Sequence, residues 1–357
     1  MDSIPSLQII GSKTFGGAER WLQRFSLALA EQGHPAEVVV RKGHELDDAD
    51  RWQPLRRHAL PMRTVWDPLS RRELTRLVRQ VRPAVVQTYM GRATRLTRLP
   101  ADRGPVHIAR IGGYYKLRGF RHAHAWIGNT LGICDYLRDN GFPPERIFHI
   151  YNFFEPPSPS GSVAGRADWG IPEAAWVMMT PGRLVPVKGQ QYLLQAMSLL
   201  PRELAGRPLW LMILGDGPLG GALRAQAQAL GLAERVVWAG WQPDPAPFFR
   251  LADGIVFPSL DRETFGNVIL EAWGFGKPLA TTAFRGAREI VRQGADALVS
   301  PCGDPAALAA SIRRLCEDAG LAGVLVAGGR QRLVRDFSRE VIMPQYIELY
   351  QRLVSRA

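Results

Sequence analysis

The chain has 357 residues, 46% of them hydrophobic and 22% charged, with a formal net charge of +12. That length suits two domains of ordinary size, and so much apolar material excludes a wholly disordered chain. Cys134, Cys302 and Cys316 form no CxxC pair and no disulfide framework, no apolar run reaches the ~18–20 residues of a spanning helix, and no signal peptide is recognisable, so the chain reads as soluble and intracellular.

In chain order, a short apolar strand at 7–10 leads through Gly16-Gly17 into a helix over 18–32, where Trp21, Leu22, Phe25 and Leu29 recur at helical spacing. Gly33-His34-Pro35 stops it, and β-branched residues 36–40 form the next strand. A helix over 70–81 and strands at 84–87, 107–111 and 125–127 continue the alternation, which is that of a parallel, doubly wound α/β domain. Residues 155–168 are rich in Pro, Ser and Gly and poor in apolar side chains, a linker composition. The rhythm then restarts, with strands at 176–179, 209–214, 236–238, 255–257 and 278–281. Helices at 190–200, 219–230, 267–275, 305–316 and 340–354 accompany them. Phe337, Ile342, Tyr346, Leu349, Tyr350 and Leu353 supply an apolar stripe for the last. Two such domains joined by a linker would place a ligand site in a cleft between them.

The charge is uneven. Residues 1–160 hold 24 Lys+Arg against 15 Asp+Glu, and residues 56–103 alone hold twelve Arg against Asp67, Glu73 and Asp102. A field of this kind suits phosphates, whether of a substrate, a nucleic acid or an anionic lipid. On the helix over 70–81, Leu74, Leu77, Val78 and Val81 share one face and Arg71, Arg72, Arg76 and Arg79 lie elsewhere, while Arg92, Arg95 and Arg98 recur every three residues. A solvated polar helix face and contact with an anionic leaflet both fit this pattern. No nucleic-acid motif or base-stacking signature accompanies it, so nucleic acid is not expected as a partner.

The sharpest local pattern is Asp261-Arg262-Glu263-Thr264-Phe265-Gly266-Asn267-Val268-Ile269-Leu270-Glu271. Two carboxylates eight residues apart flank a strand-to-helix turn whose first N–H groups suit an anion. Taken alone, the plainer reading prevails, with Glu263 complementing the helix dipole and Glu271 on the surface. Context reverses this. Arg183 and Lys188 stand between a strand and a helix, where a guanidinium fork and an ammonium can grip a diphosphate. Leu214-Gly215-Asp216-Gly217-Pro218 and Ala239-Gly240-Trp241 close two further strands, so four strand ends carry glycine or charge at one rim.

In this order, Gly16-Gly17-Ala18-Glu19, Gly182-Arg183, Lys188-Gly189, Leu214 to Pro218, Glu263…Glu271 and Gly276-Lys277-Pro278 resemble the family 4 retaining glycosyltransferases of GT-B fold. That architecture is α/β, two Rossmann-like doubly wound domains facing a central cleft. The expected division is 1–155 for the acceptor-binding domain, 156–168 for the linker, 169–338 for the nucleotide-sugar-binding domain, and 339–357 for a helix crossing back to the first domain. Ala109 to Lys116, Ile127-Gly128-Asn129-Thr130 and Tyr151-Asn152-Phe153 look like the branch that builds bacterial lipopolysaccharide and other envelope glycans.

The resemblance implies transfer of a sugar from a nucleotide-diphosphate donor, a UDP-sugar by family frequency, to a hydroxyl of a lipid-linked or saccharide acceptor, with retention and without a metal cofactor. It assigns Arg183 and Lys188 to the leaving diphosphate and Glu263 to the donor sugar. Gly215, Phe265, Gly266 and Asn267 line the donor, and Glu271 meets the ribose. Gly16 and Gly17 either approach the donor phosphates or form a plain strand-to-helix turn. Many members carry a histidine where this chain has Gly112-Gly113-Tyr114-Tyr115. Arg110, Tyr114 and Lys116 stand there as acceptor-side candidates. A lipid-linked acceptor would bring residues 56–103 to the anionic inner-membrane leaflet, as a peripheral contact on its cytoplasmic face. The rival readings are a non-hydrolysing nucleotide-sugar 2-epimerase of the same fold and a non-enzymatic basic membrane-binding protein.

Overall fold

The computed structural model describes residues 3–100, 104–156 and 161–355. It resolves into two compact units, Met1–Asn152 with Glu340–Ala357, and Phe153–Arg339. Of the expected linker, residues 157–160 lie outside the described residues, as do 101–103 at the end of the arginine-rich stretch.

The first unit runs β1 (Ser6–Ile10), α1 (Gly17–Glu31), β2 (Ala36–Arg41), β3 (Arg56–Leu60), α2 (Pro68–Val81), β4 (Val85–Tyr89), α3 (Met90–Leu96), β5 (Val106–Ile111), β6 (Ala125–Gly128), α4 (Leu131–Asp139) and β7 (Ile147–His149). Its sheet has the order β3-β2-β1-β4-β5-β6-β7, with every pairing parallel. Strands β1, β4 and β5 are buried along their whole length, as parallel strands covered on both faces must be. Helix α2 starts where Asp67 accepts the Ser70 N–H at 3.2 Å and Pro68 fixes the first turn.

The second unit runs β8 (Trp176–Pro181), α5 (Gln190–Ser198), β9 (Glu203–Leu204), β10 (Arg207–Leu214), α6 (Gly220–Ala229), β11 (Val236–Gly240), α7 (Ala246–Leu251), β12 (Gly254–Phe257), α8 (Asn267–Gly274), β13 (Leu279–Thr282), α9 (Arg285–Ile290), β14 (Leu298–Ser300), α10 (Pro305–Glu317) and α11 (Ala319–Asp336). The parallel order is β11-β10-β8-β12-β13-β14, and β9 adds an antiparallel pair to β10. Its core joins Leu193, Leu194 and Met197 of α5 to Leu211 and Ile213 of β10 and to Leu308 and Ile312 of α10.

The chain then returns to the first unit as α12 (Arg339–Val354). There Tyr350 donates to Gln87 Oε1 at 3.1 Å, and Tyr89 donates to Gln8 Oε1 at 2.9 Å. This network satisfies polar side chains buried on β1 and β4, which would otherwise be costly. Phe337, counted above with the last helix, instead caps α11 inside the second unit, where it is fully buried near Trp273 and Phe265. Helix α11 and strands β3, β7 and β14 lie where the pattern of the chain announces nothing. Among the described residues, no helix is long and apolar enough to cross a membrane.

Candidate active site

At the carboxyl rim of the second sheet, three loops are laced to one another. After β8, the Gly182 N–H donates to Leu214 O and the Leu184 N–H to Asp216 O, both at 2.9 Å. The Leu260 N–H, after β12, donates to Val187 O at 2.8 Å. Gly189 sits between these loops in the left-handed region, φ 68°, and a Cβ there would collide with the Pro258 carbonyl oxygen. Only glycine permits that approach. Buried Gln190 fixes the Arg183 turn by donating its side-chain amide to Arg183 O at 3.1 Å.

This rim brings Lys188 and Glu263 together. Lys188 Nζ donates to Glu263 Oε2 at 2.6 Å, with the two side chains 20% and 15% exposed. Ser259 Oγ reaches the same oxygen at 3.4 Å, and the ammonium lies 4.9 Å from the centre of the Phe257 ring. The sequence reading gave the two residues separate partners, diphosphate and sugar; here each is the other's counter-ion. Arg183 is exposed, and its guanidinium has no partner among the described residues.

The loop after β12 turns into α8 at Gly266, φ 81°, where a Cβ would press on Phe284 and Phe257. Phe265 is buried, while Asn267 and Glu271, on the first two turns of α8, are half-buried. Gly215, after β10, packs against the Gly182 carbonyl. All the donor-side residues named above, apart from Gly16 and Gly17, thus stand on the loops after β8, β10 and β12 or on α8. Sequence reasoning missed Ser259 and Gln190, and it missed the ion pairs of Asp261 with Arg285 at 3.1 Å and Arg288 at 2.6 Å. Burial raises the Asp261 carboxyl, but the hydrogen bonds and charges of Arg288 and Arg285 outweigh it and hold the pKa below the ordinary value. Nothing local in the sequence signals these partners, which lie 24 and 27 residues away.

In the first unit, Gly16 caps α1, and its N–H donates to Glu19 Oε2 at 2.9 Å. The Phe15 N–H donates to Glu45 Oε2 at 2.7 Å, so the turn carries its own carboxylate acceptors. Arg110, one of the acceptor-side candidates, is buried. It is 5% exposed, its Nε donates to Tyr346 Oη at 3.0 Å, it also bonds Asn152 Oδ1, and it lies over the Trp21 ring at 4.5 Å. Its alternation on β5 points it under α12. Tyr114 is half-buried edge-on to Tyr136, and Lys116 is exposed.

His107 is fully buried, with Nε2 3.0 Å from Thr88 Oγ1, and its backbone N–H donates to His124 Nδ1 at 3.1 Å. His122 Nε2 lies 2.8 Å from the carbonyls of both Thr94 and Thr97. Burial, with the positive charge of neighbouring side chains, lowers the pKa of all three histidines. Among the described residues, no group of three or more His, Cys, Asp or Glu is placed to hold a metal.

The arginine-rich stretch divides. Arg72, Arg76, Arg79 and Arg82 are exposed on α2 and at its end, as are Trp66, at 70%, and Leu69, at 63%. Arg92 turns inward to donate to Met62 O at 2.9 Å, and Arg95 lies against Gly119.

Residues 164–332 match the family model for glycosyl transferases group 1, and residues 15–156 the model for glycosyltransferase family 4. The lipopolysaccharide core biosynthesis glycosyltransferase LpsE of Rhizobium meliloti strain 1021 is 34% identical over 341 residues, which is 94% of this chain and 95% of that protein. LpsD of the same organism, of the same description, is 31% identical over 354 residues, covering 96% and 97%. The crystal structure of Anabaena HepE in complex with UDP and glucose superposes with a TM-score of 0.83 at 20% identity, covering 98% of this chain and 99% of that one. The likeness to HepE establishes the architecture as GT-B.

Proposed function

This chain belongs to the glycosyltransferases of family 4, with a group 1 module in its second half, and from that premise we propose that it is a retaining enzyme that moves a sugar from a UDP-sugar to a saccharide of the lipopolysaccharide core. The observation that carries the reading is the Lys188–Glu263 pair beside unpartnered Arg183 and the Gly266 turn, all on one sheet rim. A diphosphate arriving there offers Lys188 a stronger counter-ion than a single carboxylate. Lys188 and Arg183 then oppose the charge that grows on the leaving phosphate, where preorganised cations in a partly dry site are most effective. Released from Lys188, the Glu263 carboxylate is free to accept from a donor-sugar hydroxyl. Glu271 would accept from the ribose. Attack from the leaving-group face, with a phosphate oxygen taking the acceptor proton, gives retention without a protein nucleophile.

LpsE and LpsD support the acceptor class, and HepE, crystallised with UDP and glucose, supports the donor class. The enzyme would work from the cytoplasmic side. Exposed Trp66 and Leu69 beside the outward arginines of α2 would hold it to an anionic leaflet, each near basic residue adding about 1 kcal/mol. Titration of the purified protein with UDP, GDP and ADP, without and then with magnesium, tests the donor reading. UDP should bind most tightly and need no metal; binding of none of the three would end it.

A further inference from the structure

We propose that Lys13, Arg41, His44 and Arg92, around Ser12, form an anion site at the carboxyl rim of the first unit's sheet, and that it receives the phosphate of a phosphorylated acceptor saccharide. The acceptor role rests on the glycosyltransferase reading; the anion site stands on the first unit alone.

Strands β2, β1 and β4 are neighbours in the sheet. Arg41 ends β2, Gly11 and Ser12 follow β1, and Arg92 follows β4, so the three strand ends deliver these residues to one rim, where open α/β sheets bind ligands. Arg41 is 8% exposed. Its Nε and Nη1 are nevertheless without partners among the described residues, and Nη2 reaches only Arg63 O, at 3.5 Å. Ser12 Oγ is likewise buried and unpartnered. A buried donor left unmet costs about 1–3 kcal/mol, and a guanidinium is shaped to give two of its N–H groups to one anion.

The nearby carboxylates face other groups. Glu45 accepts from the Phe15 N–H, Asp47 accepts from the Gly43 N–H at 2.7 Å and pairs with Arg57, and Asp67 accepts from the Arg63 N–H at 3.0 Å and from Ser70. The cations therefore act on one another. Burial lowers the pKa of Arg41, reinforced by Arg92; burial also lowers that of His44, with smaller contributions from Arg41, Lys13 and Arg92. Arg92 is held in place by Met62 O and by Gly11, where a Cβ would come within 3.0 Å of its chain. Met62 and Met90 flank it with φ of 41° and 63°, non-glycine residues in the left-handed region, a conformation of about 1–3 kcal/mol that clusters at functional sites. The donor's diphosphate has its own cations in Arg183 and Lys188, so this second set is available to a second anion. A phosphate monoester, compact and close to doubly charged, suits a guanidinium fork backed by an ammonium.

The test is calorimetric titration of the full chain with saturating UDP present, using inorganic phosphate, glucose 6-phosphate and glucose. Both phosphates should bind and glucose should not. Arg41→Gln should weaken glucose 6-phosphate about tenfold, the loss of one charge-assisted contact. Lys13→Gln, at an exposed side chain that cannot disturb folding, should weaken it about threefold. Vesicles of phosphatidylglycerol supply the other source of phosphate, and their binding should not change in either variant. Unchanged phosphate affinity in both variants, or loss of vesicle binding in place of sugar-phosphate binding, would overturn the proposal. Should Arg41→Gln fail to fold, Lys13→Gln decides by itself. Failure of UDP to bind the wild-type chain would instead strike the donor reading, with the phosphate titrations still reporting on this site.

Discussion

The two sheet rims present opposite electrostatic designs on the same α/β plan. In the second unit several of the charged groups are paired at rest, Lys188 with Glu263 and Asp261 with Arg285 and Arg288, while the Arg183 guanidinium beside them has no partner among the described residues. In the first unit Arg41, Lys13 and Arg92 all act after burial to lower the pKa of His44, while Glu45 and Asp67 accept from backbone N–H groups and Asp47 pairs with Arg57. The second rim is also locked by loop-to-loop hydrogen bonds at glycines, whereas the first places methionines where glycine would be easier. A paired site can wait for a ligand at little electrostatic cost, since an arriving anion would exchange one counter-ion for another. An unpaired cluster stores repulsion that only an anion relieves.

The largest effect should come from breaking the locked rim. Gly189→Ala forces a Cβ onto the Pro258 carbonyl and should destabilise the second unit by about 3 kcal/mol, with loss of UDP binding, read by thermal unfolding and titration. Gly231→Ala is the control. Its φ of 67° is similar but nothing lies within 4 Å, so only about 1–2 kcal/mol is expected.

Next, Lys188→Ala should lower kcat about 100- to 1,000-fold while UDP affinity falls much less, because the ammonium acts mainly on charge that develops during transfer. Equal losses in both would assign Lys188 to ground-state binding. Glu271→Ala should weaken UDP binding about tenfold, a loss of near 1.4 kcal/mol, with kcat at saturation nearly intact. These two variants together separate leaving-group stabilisation from ribose recognition.

Acid should distinguish the units. The folded-state pKa of His107, His122 and His124 is depressed, so below their ordinary value near 6.5 the unfolded chain takes up protons that the folded one refuses. Stability is therefore full above that pH and falls as pH drops below it, by at most about 1.4 kcal/mol per pH unit for each histidine. Between pH 7 and 5.5, hydrogen-exchange protection, corrected for the intrinsic rate at each pH, should fall in β5 and stay unchanged in β8. The smallest effect expected is at the surface: Trp66→Ser with Leu69→Ser should weaken binding to anionic vesicles a few-fold without altering UDP affinity.

The grouping of the donor-side candidates on one rim was legible because those residues are compact in the chain. Glu263 to Glu271 falls within one strand-to-helix turn, and Lys188-Gly189 opens α5 with the side chain at one end and the necessary glycine at the other. The Lys188–Glu263 pairing was not legible, since 75 residues separate the partners. The burial of Arg110 was not legible for a related reason: alternation on β5 says which side of the sheet it faces, and only α12 decides that this side is covered.

By itself, the sequence determined the alternation of buried strands and amphipathic helices and singled out the loops after β8, β10 and β12 as candidates, because hydrophobic period, turn residues and motif spacing are local properties. Tertiary structure alone decided α11. Its glycines argue against a helix, yet Gly328 lies against the Ala295 carbonyl and Gly329 against the Trp273 ring, where any Cβ would collide. Close packing between distant elements selected glycine there over helix propensity, and the same contact between distant segments set the charge pairs of one rim and left the other unmatched.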